Sequence, residues 1–178
     1  MIFSTGNDHK FKTLAHYFPG ATQLVLDTIE PQANVEAVAI YKCNEAWSRT
    51  LSSVVTEDTS LYFGNKGLPG PYIKHFMDNL TKDELVKVAA AMGGDISATF
   101  RSAVAYKRIE DDSTLVIMSD LDGRIVAPRG KNDTEAFNTI FEVSGTGLTL
   151  AEMDTSTYHQ YCPRHENMRK LHVIWFNK

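Results

Sequence analysis

Residues 54–76 read VVTEDTSLYFGNKGLPGPYIKHF. A strand-like apolar run ends in two adjacent acids, Glu57 and Asp58, a stretch crowded with Gly and Pro follows, and Lys74 stands just beyond it. Successive residues of a strand point to opposite faces, so only one of the two acids can face a given ligand. A stiff turn then carries the chain toward a helix, with Pro71 at its first position.

Working outward, Met1–Ser4 reads as a short buried strand, and Thr5-Gly6-Asn7 turns it into a helix from about Asp8 to Tyr17, capped by Asn7. Thr22–Leu26 is a second strand. Asn34 caps a helix to about Ser48, whose apolar side is Val35, Val38, Ala39, Ala46 and Trp47. Ser53–Glu57 and Leu61–Phe63 are expected as separate strands, followed by a helix from Pro71 to about Leu80. Thr81-Lys82-Asp83-Glu84 matches a capping box and opens another helix, ending near Met92-Gly93-Gly94. Ser97–Ile109 and Thr114–Ser119 are expected as strands joined by the acidic turn Glu110-Asp111-Asp112. Asp122-Gly123 is expected to turn the chain into a strand over Arg124–Ala127. A helix from Pro163 to Phe176 closes the chain. Helices alternating with strands early and a meander of strands later predict an α/β fold with a mixed sheet. No repeat, low-complexity tract or linker interrupts it, so residues 1–178 are expected to form a single domain.

The 178 residues carry 43% hydrophobic and 22% charged side chains, ordinary for a globular protein. The net charge of −4 provides no broad cationic surface for coating nucleic acid. No apolar run approaches the ~20 residues that span a bilayer. The first four residues show no export signal, and Cys43 and Cys162 lie far apart, so a cytoplasmic protein with reduced thiols is expected.

Two lysines sit where a lysine is mildly unfavourable, in the first turn of an expected helix: Lys10 after Thr5-Gly6-Asn7, and Lys74 after Gly70-Pro71. Each can be a solvated surface residue. Each can also share an anion with the backbone N–H groups of the helix start. Ligands of open α/β sheets gather at the carboxyl ends of strands, where Thr5-Gly6-Asn7 and Glu57-Asp58 are both expected. No G-x-x-x-x-G-K-[ST] is present, so phosphates would be held by dispersed lysines and a metal. Mg²⁺ takes one or two carboxylates together with phosphate oxygens and water. Glu30, in an expected loop before Pro31, is a candidate for the second carboxylate, although on spacing alone it reads as a surface residue.

Glu57-Asp58-Thr59 followed by Gly67-Leu68-Pro69-Gly70-Pro71-Tyr72-Ile73-Lys74 resembles the inosine triphosphate pyrophosphatase family, the non-canonical purine NTP pyrophosphatases. Further family-like segments follow in order: Thr5-Gly6-Asn7 with Lys10, Lys42-Cys43, residues 123–130 (GRIVAPRG), and Ala151-Glu152-Met153. The resemblance implies an elongated α/β protomer with two lobes around a deep cleft, paired as a homodimer. It also implies hydrolysis of a nucleoside triphosphate to the monophosphate and pyrophosphate. Carried over by position, Thr5, Gly6, Asn7, Lys10, Lys42 and Lys74 would hold the phosphates. Glu30 and Asp58 would ligate Mg²⁺, or Mn²⁺ in its place, with Asp58 the catalytic carboxylate and Thr59 touching substrate.

The resemblance breaks at the base end. Where the family shows Phe-Gly-Trp-Asp-Pro, this chain reads Glu135-Ala136-Phe137-Asn138-Thr139. Tyr158 stands at a family lysine, and Cys162-Pro163-Arg164 replaces Ser-His-Arg. Phe137 could still stack on a base. Asn138 trades a charge for a donor and an acceptor. Tyr158 is open between packing and base contact, Pro163 suits the first residue of the last helix, and Arg164 is retained. The reading is therefore a pyrophosphatase with an intact phosphate end and altered base selection. Alternatives are a pyrophosphatase for another modified or pyrimidine nucleotide, and a nucleotide-binding protein that senses without turnover. Retention of Glu30, Asp58, Lys10 and Lys74 favours an enzyme.

Other features carry less. Asp120-Leu121-Asp122-Gly123 resembles the start of a calcium loop but lacks the rest of the pattern. His165 and His172 are about 10.5 Å apart along the helix, too far to share an ion.

Overall fold

The opening strand β1 (Ile2–Ser4) is only three residues long, yet it lies between two parallel partners. It pairs with β2 (Thr22–Leu24) on one side and with β3 (Val54–Phe63) on the other. The computed structural model describes residues 1–92, 96–131 and 137–177. Between β1 and β2 runs α1 (Asp8–Tyr17), and between β2 and β3 runs α2 (Val35–Thr50). Asn34 caps α2 by accepting from the Ala37 amide at 2.9 Å. The helix buries Val35, Val38, Ala39, Cys43 and Ala46, a single stripe at helical spacing.

Next come β4 (Pro69–Gly70), α3 (Ile73–Asn79), α4 (Lys82–Ala91), β5 (Ser97–Lys107), β6 (Leu115–Ile125), β7 (Phe141–Val143), α5 (Thr155–Tyr161) and α6 (Pro163–Phe176). The sheet order is β2-β1-β3-β5-β6-β7, with β4 antiparallel to β3 and β7 antiparallel to β6. The expected α/β fold with a mixed sheet is what the chain forms.

The chain divides into two compact units: Met1–Thr59 with Ser102–Ser119 and Arg164–Lys178, and Ser60–Arg101 with Asp120–Pro163. In the first, Phe3, Leu14, Val55, Val104, Met168 and Leu171 form one core cluster, while α2 packs Val35, Ala39 and Cys43 against Val54 and Ala103. In the second, Leu61, Phe63, Phe100, Phe137, Phe141 and Leu150 lie at the centre. A Leu or Phe withdrawn from water in this way contributes about 1.5–3 kcal/mol. Cys43 and Cys162 are buried and form no disulfide.

Several expected boundaries move. Ser53–Glu57 and Leu61–Phe63 are parts of one strand, because Glu57, Asp58, Thr59 and Ser60 are themselves buried and continue the pairing. Asp58 is thus not at the end of its own strand. The β1 pairs Ile2–Val54 and Phe3–Val55 nonetheless leave Glu57 and Asp58 beyond the carboxyl end of β1. Pro71 precedes the helix it was expected to open, since Tyr72 is the cap residue and α3 begins at Ile73. The short elements β7 and α5 were not anticipated. Of the expected helix end near Met92, Gly93 and Gly94 lie outside the described residues.

The largest correction is at Asp122-Gly123, which is not a turn, because β6 runs straight through it. Gly123 pairs with Val143. A Cβ at that position would meet the Glu142 carbonyl oxygen and come within 2.6 Å of the Phe141 ring. The glycine is there for close approach between strands, not for a bend. Gly70 is different: its φ of +60° lies in the left-handed region, and it closes the Gly-Pro stretch where Phe63 donates its amide to Leu68 at 2.7 Å.

Gly123→Ala is expected to destabilise the fold by about 1–3 kcal/mol through overpacking against backbone that cannot move aside. Urea denaturation would show this as a lower midpoint. An unchanged midpoint would mean that β6 and β7 can separate without cost.

Candidate active site

The end of β1 is tied down before α1 begins. Thr5 donates its amide to Leu24 at 2.9 Å, and the Thr5 hydroxyl accepts from the Asn7 amide at 3.1 Å. The Asn7 side chain accepts from the amides of His9 and Lys10 at 2.9 and 3.1 Å, which satisfies two of the four donors a helix start leaves open. Lys10 is thereby fixed in the first turn, and its ammonium lies 2.8 Å from Glu57 Oε2. The unfavourable position noted in the sequence has a local answer in this carboxylate.

Glu57 is the acid of the pair that faces inward, with a side chain that is 0% exposed. Its Oε1 accepts from the Thr59 hydroxyl at 2.9 Å and the Ser102 hydroxyl at 2.7 Å, and Arg164 Nε lies 3.3 Å away. Arg164 also donates to the Thr59 hydroxyl at 3.2 Å, and Asn167 donates to the Ser102 hydroxyl at 3.2 Å. Burial alone would raise the Glu57 pKa. The Arg164 and Lys10 charges, with the hydrogen bonds from Lys10 and Ser102, overcome it and hold the carboxyl far below the usual carboxylate range.

Asp58, the next residue, faces a different environment. Its Oδ1 accepts from Lys42 at 3.0 Å, and the same ammonium lies 2.7 Å from Glu30 Oε1. Burial raises the Asp58 pKa above its ordinary value, and the Lys10 and Lys42 charges reduce that rise without cancelling it. Burial works against the Lys42 ammonium as well, but Asp58 and Glu30 outweigh it and raise its pKa.

Glu30 and Asp58 converge on one cationic point, which is a donor set of the kind Mg²⁺ uses: hard carboxylate oxygens, one or two per ion. Among the described residues no group of three or more His, Cys, Asp or Glu is arranged to hold an ion. The two carboxylates alone would leave a divalent cation short of ligands, and in this structure the Lys42 ammonium lies between them.

Thr5, Gly6, Asn7, Lys10, Glu30, Lys42, Asp58, Thr59 and Arg164 all belong to the first unit, and the contacts above join all of these except Gly6 into two sets, around Glu57 and around Lys42. Lys74, Phe137, Asn138 and Tyr158 belong to the second unit. Lys74 is exposed on the first turn of α3. Phe137 is 3% exposed and turns its ring edge-on to Phe100, with centroids 5.0 Å apart. Asn138 is fully buried. Tyr158 packs in the second core and accepts from the Cys162 thiol at 3.5 Å. Pro163 is the first residue of α6. Glu135 and Ala136, also expected near the base, lie outside the described residues.

Ser102 and Asn167 were missed by reading the sequence. The available signal was a polar residue on an inward-facing position: Ser102 within the apolar run of β5, and Asn167 beside Met168 on the buried side of α6.

The Ham1 family model matches residues 1–174 of the chain. A curated relative from Yarrowia lipolytica, named inosine triphosphate pyrophosphatase, is 36% identical, the match covering 100% of this chain and 96% of the relative. One from Neurospora crassa with the same name is 35% identical over 99% and 92% of the two chains. The solved structure of a HAM1 protein from Coxiella burnetii superposes with a TM-score of 0.86 at 19% identity, covering 99% of this chain and 98% of that one, a likeness of fold. The chain belongs to the Ham1 family.

The lowered Glu57 pKa has a consequence for stability. A carboxyl depressed on folding adds stability that is present above its unfolded value, ordinarily 4.5, and is lost as pH falls below that. Glu57→Gln is expected to cost about 3–5 kcal/mol at pH 7, because it leaves Arg164 and Lys10 without their counter-charge. The difference from the unaltered protein should shrink between pH 6 and pH 3. Urea midpoints across that range would check it, and a pH-independent difference would argue against the ionised pair.

Proposed function

We propose that this Ham1-family chain is a nucleoside triphosphate pyrophosphatase of one domain, residues 1–178. It would hydrolyse non-canonical purine triphosphates such as ITP and XTP to the monophosphate and pyrophosphate, as a cytoplasmic homodimer. The names of the relatives from Yarrowia lipolytica and Neurospora crassa support the reaction, at 36% and 35% identity along nearly the whole chain. The observation that carries the reading is the pair of adjacent carboxylates in opposed environments, Glu57 saturated and Asp58 held with Glu30 around a single cation.

In this reading Thr5, Gly6 and Asn7 at the start of α1 receive phosphate oxygens on backbone N–H groups. Lys10, Lys42 and Lys74 neutralise the polyanion, and Thr59 adds a hydroxyl contact. Glu30 and Asp58 would hold Mg²⁺, or Mn²⁺ in its place. When bound, the ion would screen phosphate charge and polarise the phosphorus under attack. Asp58 orients a water and takes its proton, a role suited to a carboxylate whose pKa is raised. The water oxygen bonds to phosphorus, the bond to the bridging oxygen breaks, and pyrophosphate leaves with that oxygen or the monophosphate retains it, according to which phosphorus is attacked. Base recognition falls to Phe137, Asn138, Tyr158 and Arg164. All four are buried, so recognition there acts through groups already packed in a core.

Asp58→Asn is expected to leave the fold intact and to lower kcat by at least ~10²-fold in a pyrophosphate-release assay, since a metal-linked acid–base group is lost. Near-full turnover would remove Asp58 from the mechanism.

The base end should set this chain apart. A site that hydrogen-bonds one base edge rejects a misfit by orders of magnitude, whereas stacking tolerates any base. With Asn138, Tyr158 and Pro163 at the polar family positions, preference for ITP and XTP over ATP and GTP should be weaker than is usual in the family. Comparing kcat/KM for ITP, XTP, GTP, ATP and the pyrimidine triphosphates under identical Mg²⁺ tests this. A lead of ~10³ or more for ITP and XTP would overturn it.

A further inference from the structure

Glu57 has no role in the reading above, yet three of its direct partners do. We propose that Glu57 is the positioning residue of the site: it takes no part in bond making, but holds Lys10, Thr59 and Arg164 in one fixed array. The proposal rests on the pyrophosphatase reading for what the array binds, and on the geometry for the array itself.

Both carboxylate oxygens are already committed. Oε1 accepts from the Thr59 and Ser102 hydroxyls at 2.9 and 2.7 Å and faces Arg164 Nε at 3.3 Å, and Oε2 lies 2.8 Å from Lys10. Oε1 is crowded by three partners, and Oε2 faces the Lys10 ammonium. Its side chain has no solvent exposure, and Arg164 has 1%. Lys10 retains 14%, which makes it the one directly paired cation of the set with a path to an external anion.

The partners come from separate parts of the chain, Lys10 on α1, Thr59 on β3, Ser102 on β5 and Arg164 on α6. Each has rotamer freedom that a lone side chain would lose on meeting ligand. A common carboxylate removes that freedom beforehand, which is how a rigid supporting group sharpens a site. Ser102 is in turn fixed by Asn167, whose side chain also donates to the Ser102 carbonyl at 2.9 Å.

Simple electrostatics predicts the opposite consequence for binding, and that makes the proposal testable. Removing a negative charge beside Lys10 should strengthen anion binding if charge alone matters. Removing the anchor should weaken it. The experiment is calorimetric titration of the full-length protein, unaltered and Glu57→Gln, with inorganic tripolyphosphate at a temperature where circular dichroism shows both folded. The expected result is at least ~10-fold weaker binding by Glu57→Gln. Unchanged or tighter binding overturns the proposal, and so does a lack of tripolyphosphate binding by the unaltered protein.

Because Glu57→Gln also costs stability, Glu57→Asp serves as the second variant. It keeps the charge on a shorter stem and should bind tripolyphosphate at least ~3-fold more weakly, whereas binding equal to the unaltered protein would again argue for charge alone. The kinetic counterpart is the cycle of Glu57→Gln with Lys10→Ala, read as kcat/KM for ITP. If Glu57 acts through Lys10, adding Lys10→Ala to Glu57→Gln should cost less than ~3-fold further. Losses that multiply would overturn the proposal. If no triphosphate is hydrolysed by the unaltered protein, the pyrophosphatase reading fails, and the tripolyphosphate titration still decides the role of Glu57.

Discussion

An ionised carboxylate with no access to water is the constraint on which the first unit turns. Leaving Glu57 unpaired in that place would be costly enough to neutralise it. Paired, it requires Lys10, Arg164, Thr59 and Ser102 to arrive together, so residues separated by more than a hundred positions in the chain are fixed by one group. An apolar set of the same volume would stabilise the fold at least as well, as replacements of buried ion pairs have shown. What the ionic set adds is direction. It fixes where a lysine, a hydroxyl and a guanidinium point.

The alternation of a β-strand then gives two neighbouring acids different chemistry. Glu57 turns toward two cations and two hydroxyls, and its pKa is lowered. Asp58 turns the other way, toward Lys42 and Glu30, and burial raises its pKa. Opposed environments of this kind separate a carboxyl that ionises easily from one that is easier to protonate. The difference needs no special backbone, only the two-residue period of an extended strand. A strand ending at Glu57 would leave Asp58 on a loop, where its direction would depend on turn geometry. Continuation of β3 to Phe63 is what secures it.

This explains which parts of the molecule were legible in the sequence. Helices with a clear cap and apolar stripe, such as those begun by Asn7, Asn34 and Thr81, were read within a few residues, because their signals are local. Lys10 and Lys74 stood out because a lysine in the first turn of a helix contradicts a local preference, and for Lys10 the structure supplies a partner in Glu57. The strand boundaries were not. Polar residues such as Thr59 and Ser60 read as the end of a strand until it is known that both sides of β3 are covered. Gly123 read as a turn because a glycine needed for close approach and one needed for a bend are written alike. The Glu142 carbonyl and the Phe141 ring lying against it tell them apart. Ser102 and Asn167 were illegible for a related reason: a buried polar residue has meaning only through a partner distant in sequence.

The two ends of the expected nucleotide also differ in how they can change. In the proposed reading phosphates would meet Lys10 and Lys74 in the first turns of α1 and α3 and Lys42 in the middle of α2, groups whose neighbours are largely polar. The residues expected at the base end, Phe137, Asn138 and Tyr158, are packed with Phe100, Cys162 and their neighbours. A substitution there must satisfy close packing as well as any ligand, because a core responds to a change of even one methylene. Tyr158 meets this demand by filling the second core while its hydroxyl stays paired with Cys162. The packing around Tyr158 and the charge set around Glu57 share no residue. A substitution in one set therefore leaves the partners of the other in place.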